Sequence, residues 1–251
     1  MKNDIYIIKI EDLTVSYDSK PALWDVDLEI PKGVLAAIIG PNGAGKSTLI
    51  KAILNLIKPI TGRIYFEGKT YKEVRKKIAY VPQKNSVDWN FPTTVFDVIL
   101  MGRYGHVGWF KKIGKKDKKI AEESMEKLGI SHLRNRQISE LSGGQQQRVF
   151  LARALCQEAE IYLMDEPFQG VDVKTEKAIV LLLKELQKNG KTVIVVHHDL
   201  ESVPNYFDYV VMLNLRIIES GLVKNVWNNE NIKKTYSTTK LVKDDENGFS
   251  I

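Results

Sequence analysis

Along this chain of 251 residues, apolar positions come in short runs with different periods. Leu13 and Val15 alternate with Thr14 and Ser16, and Tyr17 continues the alternation, as in a strand with one buried face. "IYIIKIEDLTVSY", "DVDLEI" and "GRIYFEG" therefore read as strands, the last closed by Gly68. "GVLAAIIG", "KKIAYVPQ", "AEIYLMDEP" and "KTVIVVHHD" are apolar at successive positions, which suits strands buried on both faces. Between them "KSTLIKAILNLI" and "KTEKAIVLLLKELQKNG" read as helices, the second ended by Gly190. Strands alternating with helices predict an α/β fold, its mainly parallel sheet covered by helices on both faces.

From residue 84 to about residue 160 the texture changes to loop, aromatics, a lysine run and the helical "KKIAEESMEKLGI". This predicts a mostly helical lobe inserted into the sheet. Near its end stands "LSGGQQQR", residues 141–148, where two glycines and three glutamines follow a serine. No core needs them. The next run, "VFLARALC", offers Val149, Phe150, Ala152 and Leu155 for burial, so the stretch reads as a helix start with Ser142 as N-cap. Free N–H groups at such a start suit an anion. After Trp227 the chain turns polar, which predicts one domain over residues 1–227 and a polar tail over 228–251.

Composition narrows the setting. The single cysteine, Cys156, excludes a disulfide framework within the chain and fits a reducing compartment. "MKNDIYIIKIEDL" lacks a signal-peptide pattern. No apolar run approaches the ~20 residues of a membrane span, so the chain is not expected to cross a bilayer itself. Of the net charge of +6, "KKIGKKDKK" at 111–119 carries +5, from six lysines and one aspartate, leaving about +1 for the rest. A basic stripe for nucleic acid is therefore not evident. The run is either a solvated loop or a contact for anionic lipid headgroups or an acidic partner.

The chemistry concentrates at strand ends. "GPNGAGKST", residues 40–48, matches G-x-x-x-x-G-K-[ST], which arises by chance in a chain this long about one time in a hundred. It lies between an apolar strand and a helix. Its glycines let backbone N–H groups wrap phosphate oxygens, Lys46 reaches toward the β- and γ-phosphates, and Ser47 is placed to hold Mg²⁺. In "IYLMDEP" the apolar strand ends at Asp165, an acid placed to hold Mg²⁺ beside a P-loop. The adjacent Glu166 can orient a water for attack on the γ-phosphate. At "HHDL" only one of His197 and His198 can face the phosphates, because neighbouring side chains on an extended strand point opposite ways.

The P-loop, "VPQ", "LSGGQQQR", "YLMDEP" and "HHDL", in that order over about residues 7–227, resemble the ATP-binding cassette ATPases of ABC transporters. The resemblance implies a P-loop NTPase core with an N-terminal antiparallel β part and the inserted helical lobe, using ATP and Mg²⁺. It implies a pair of cassettes, normally two copies, meeting head to tail. ATP is then held by Gly40, Pro41, Asn42, Gly43, Ala44, Gly45, Lys46, Ser47 and Thr48 of one copy. Ser142, Gly143, Gly144 and Gln145 of the other meet its γ-phosphate. Gln83 resembles the glutamine that senses Mg²⁺ and the attacking water, and His198 the γ-phosphate switch histidine. Asp172 resembles the aspartate that crosses the dimer interface, although Gln169, Gly170 and Val171 depart from the commoner pattern before it. Tyr17 resembles the aromatic that stacks on adenine; its place in the alternating strand also allows it to face the core.

The segment "KNSVDWNFPTTVFDVILMGRYGHVGWFKK", with "DEPFQGVD" and "HHDL", resembles the bacterial manganese/zinc/iron chelate importers. That implies a peripheral subunit at the cytoplasmic face of the cell membrane. It would energise a separate permease, with an extracytoplasmic metal-binding protein in the same system and no nucleic acid. Trp89, Phe91, Phe96, Tyr104, Trp109 and Phe110 either build the lobe's core or line a docking groove for a helix of the membrane partner. Alternatives are a cassette serving another substrate or export, or a soluble cassette acting on ribosomes or DNA. The two cassettes per chain or long coiled coils usual in those soluble types are not visible.

Overall fold

The computed structural model describes residues 6–18, 20–108 and 112–237. Its strands are β1 (Tyr6–Tyr17), β2 (Lys20–Pro31), β3 (Leu35–Ile39), β4 (Thr61–Tyr65), β5 (Ile78–Val81), β6 (Ile161–Asp165), β7 (Thr192–Val196), β8 (Tyr209–Asn214) and β9 (Arg216–Leu222). The longer helices are α1 (Lys46–Ile53), α2 (Val95–Leu100), α3 (Lys115–Lys127), α4 (Gly143–Cys156), α5 (Val173–Lys188) and α6 (Asn229–Tyr236).

The doubly apolar runs become the interior of a six-stranded sheet ordered β5-β6-β7-β3-β8-β9, parallel except for the antiparallel edge strand β9. Alternation along each strand deals its residues to opposite faces. Leu35, Ala37 and Ile39 of β3, Tyr162 and Met164 of β6, and Val193 and Val195 of β7 face α5 and the helical lobe. Ala36, Ile38, Ile161, Leu163, Ile194 and Val196 face α1 and a second sheet, the antiparallel β2-β1-β4. Both faces are thus covered, which is why these strands carry no polar alternation. Because β3, β5, β6 and β7 run parallel, the loops carrying the P-loop, Gln83, Glu166 and His198 leave the sheet at one edge.

Between β5 and β6, helices α2, α3 and α4 pack on one another, with Val98, Ile99, Ala121, Met125, Val149 and Leu151 in the same apolar cluster as the sheet face. The crowded aromatics divide. Trp89 packs edge-on against Phe150 at 4.9 Å, and Phe96 lies under the Arg134 guanidinium at 3.6 Å. Phe91 and Tyr104 are exposed, while Trp109 and Phe110 fall outside the described residues. Cys156 is buried, and burial pushes its thiol up to about 11, so it is inert.

Two expectations shift. The described part of the lysine run is not loop throughout: α3 begins at Lys115, and Asp117 accepts a hydrogen bond from the Gly114 N–H at 3.1 Å. Asp117 also binds the buried Arg103 at 3.0 Å, a tertiary partner invisible to local pattern. Packed structure also continues past Trp227. Asn228 caps α6, Thr235 is fully buried, and Asn214 Nδ2 donates to the Thr235 carbonyl at 2.9 Å. Residues 238–251 lie outside the described part of the chain.

Candidate nucleotide site

The P-loop is shaped by backbone that only glycine adopts cheaply. Gly45 precedes α1 with φ +92°, and a Cβ there would collide with the Ala22 carbonyl oxygen and approach Leu23 Cδ2 to 2.7 Å. Gly45→Ala is expected to destabilise the fold by about 1–3 kcal/mol, read as a lowered urea midpoint, and an unchanged midpoint would contradict this packing. The loop is also strapped from outside. Leu215 donates its N–H to the Ala44 carbonyl at 3.0 Å and accepts from the Trp24 N–H at 2.8 Å. Leu215 holds φ +61°, and the phenol of Tyr236 in α6, raised by burial, is pulled down by the Gly40 backbone.

Lys46 is almost completely buried, and its ammonium donates to the Gly40 and Pro41 carbonyls at 2.8 and 2.9 Å. Burial lowers its pKa, against the pull of Glu166 and Asp165. Ser47 Oγ donates to Asp165 Oδ1 at 3.2 Å. Asp165 is 2% exposed, and burial raises its carboxyl, opposed by the Ser47 hydrogen bond and reinforced by Glu166. A buried carboxylate beside a hydroxyl is a hard oxygen donor pair that favours a small divalent cation.

Glu166 follows with φ +52°, a left-handed backbone that is uncommon for a non-glycine residue and a mark of functional sites. Its Oε2 accepts from Gln83 Nε2 at 2.9 Å. The amide thus fixes the carboxylate across the gap between the β5 and β6 loops. Beyond β7 the two histidines separate as alternation requires. His197 is buried, hydrogen-bonded to Ser202 Oγ at 2.7 Å and edge-on to Phe168. Burial, helped by His198, brings its pKa down to about 4, so it is neutral at pH 7. His198 is exposed.

Ser142 caps α4 with the reciprocal pattern its sequence suggests. Ser142 N–H donates to Gln145 Oε1 at 2.9 Å, and Gln145 N–H donates to Ser142 Oγ at 3.4 Å. Ser142 is exposed, and nothing lies within 4 Å of a Cβ placed on Gly144. Asp172 caps α5, accepting from the Thr175 N–H and hydroxyl at 2.9 and 2.7 Å, which holds its carboxyl below the usual range. Arg148 of α4 donates to the same Thr175 hydroxyl at 2.8 Å, so α4 and the Asp172 loop are linked. Tyr17 is 48% exposed, unlike the fully buried Leu13 and Val15, so its ring is not in the core.

The sequence profile of the family described as ABC transporter matches residues 23–169. The chain belongs to that family. The cassette is 56% identical over 231 residues to the zinc transport system ATP-binding protein TroB of Treponema pallidum (strain Nichols), covering 92% of this chain and 87% of that protein. It is 55% identical over 232 residues to the manganese transport system ATP-binding protein MntB of Bacillus subtilis (strain 168), covering 92% and 93%. Its fold matches the dimeric post-hydrolysis state of the ATP-binding cassette MJ0796 bound to ADP and Pi with TM-score 0.75, at 30% identity over 86% of this chain and 98% of that one. The cassette is an ATPase, and its fold is that of the P-loop enzymes.

Sequence reasoning missed the Leu215 strap, the Tyr236 contact and the Arg148–Thr175 link. Only the last carried a signal: Asp172 three residues before Thr175 is an N-cap pattern, and caps organise helix starts.

Proposed function

We propose that this cassette powers uptake of manganese or zinc through a separate membrane permease, hydrolysing ATP held between two copies of the chain. The names of the zinc and manganese relatives favour these metals over iron. The observation that carries the split site is the open start of α4, an exposed, pre-capped set of N–H donors with free approach at Gly144. The P-loop of one copy binds the triphosphate, and Ser142, Gly143, Gly144 and Gln145 of the other close over the terminal phosphate. Ser47, Gln83 and Asp165 would hold Mg²⁺, which supplies positive charge against the phosphate oxygens when bound. Glu166, oriented by Gln83, takes the proton of the attacking water. His198, exposed at the end of β7, faces the γ-phosphate; Asp172 approaches the second copy; Tyr17 stacks on adenine.

No helix among the described residues is long and apolar enough to cross a membrane, which fits a peripheral subunit at the cytoplasmic face. A cleft of about 680 Å³ lined by Tyr71, Arg75, Lys76, Tyr104 and Gln157 supports docking of a permease helix. An extracytoplasmic metal-binding protein would deliver the ion to that permease.

Ser142→Arg tests the split. Bulk and charge at the closing surface should lower hydrolysis by about 100-fold or more, while the isolated chain keeps its ATP affinity, because its own P-loop is untouched. Weakened ATP binding by the monomer would count against a site shared between copies. Unchanged manganese and zinc accumulation in cells lacking this chain would overturn the transport reading.

A further inference from the structure

Gln83 and Lys84 are neighbours that reach two different places. Gln83 holds Glu166, whereas the Lys84 ammonium lies against Gly143 at the start of α4: a Cβ built on Gly143 would overlap Lys84 Nζ. The backbone carrying Lys84 is clamped to that helix. Trp89 Nε1 donates to the Lys84 carbonyl at 2.9 Å, and the Trp89 ring packs on Phe150 of α4. Lys84 is half-buried, and its ammonium makes no hydrogen bond or ion pair with a described residue.

That placement is unfavourable in isolation. The helix start already presents unpaired N–H groups and the positive end of the macrodipole, so a cation beside it is repelled. An anion docking between them removes both penalties. The absent side chain at Gly143 leaves the ammonium room to stand there. We propose that Lys84 binds the terminal phosphate of the ATP held by the second copy, as a charged member of the half-site at the start of α4. Adjacent residues then address both nucleotides of a dimer, Gln83 the chain's own and Lys84 the other's. Closure over one ATP thereby pulls on the segment that orients Glu166 at the other. This rests on the split-site reading.

The test uses the full chain carrying Glu166→Gln, with ATP-dependent dimerisation followed by analytical ultracentrifugation. Adding Lys84→Gln is expected to weaken the ATP-bound dimer about 10-fold or more, the cost of losing a hydrogen bond to a charged group. Lys84→Arg, which keeps the charge, should retain it. ATP binding by the dilute monomer should not change in either variant. An undiminished dimer with Lys84→Gln overturns the phosphate contact alone. Equal loss with Lys84→Arg, accompanied by a lowered urea midpoint, also overturns it in favour of a packing role. Absence of any ATP-dependent dimer in the Glu166→Gln chain overturns the split site and the Lys84 contact together.

Discussion

Glu166→Gln is expected to cut ATP hydrolysis by about 100- to 10,000-fold, the range associated with loss of a positioned general base. The same variant should bind ATP normally and accumulate as an ATP-bound dimer. The physical reason is that glutamine keeps the shape and hydrogen-bonding reach of glutamate but cannot accept the proton released by water. Gln83 already spends its amide on Glu166 Oε2 at 2.9 Å, and a glutamine at 166 can still offer an oxygen to that donor. The left-handed backbone at Glu166 does not depend on the charge. Geometry is therefore retained while chemistry is lost. Single-turnover hydrolysis with gel filtration in ATP measures both halves. Hydrolysis at the wild-type rate removes Glu166 from the role of base.

The same residues show where sequence was informative. The P-loop, Asp165 and Glu166 are legible because each is a short motif tied to the end of an apolar run, and the chemistry depends on local spacing. Burial of both sheet faces is legible for the same reason, since "LAAII" and "TVIVV" have no polar alternation to spare. The strand order β5-β6-β7-β3-β8-β9 is not, because it joins segments far apart in the chain through backbone bonds that every sequence can make. Leu215 is illegible likewise: its work on Ala44 and Trp24 is done by main-chain atoms. Lys84 is illegible too, since a lysine after a loop glutamine looks like solvated surface. Only the fold reveals that its ammonium stands at Gly143, some sixty residues later in the sequence.

Tyr17 and the histidine pair show a middle case. Alternation narrowed each to two choices, and burial selects between them. Tyr17 is exposed where Leu13 and Val15 are sealed, and His197 is sealed where His198 is exposed. Period alone says which residues share a face; only packing says which face is inside.

Lys46→Ala is expected to lower ATP turnover by about 1000-fold, at or beyond the upper range for deleting one electrostatic contact to a developing charge. The effect should exceed an ordinary salt-bridge loss because the ammonium is nearly buried and pre-positioned. It is held on the Gly40 and Pro41 carbonyls, with Asp165 and Glu166 as the carboxylates acting on it. Burial weakens its hold on a proton, and a triphosphate bound there would restore that hold, so charge on lysine and charge on nucleotide favour each other. Alanine removes the cation and takes the ammonium from the Gly40 carbonyl, while the Pro41 carbonyl keeps the Ala44 N–H at 3.1 Å, so binding should weaken as well as catalysis. This separates the variant from Glu166→Gln, which spares binding. Fluorescent ATP titration and steady-state hydrolysis on the two variants side by side distinguish the roles. Equal ATP affinity in Lys46→Ala and the parent chain would show that Lys46 does not touch the nucleotide, whatever happened to the rate.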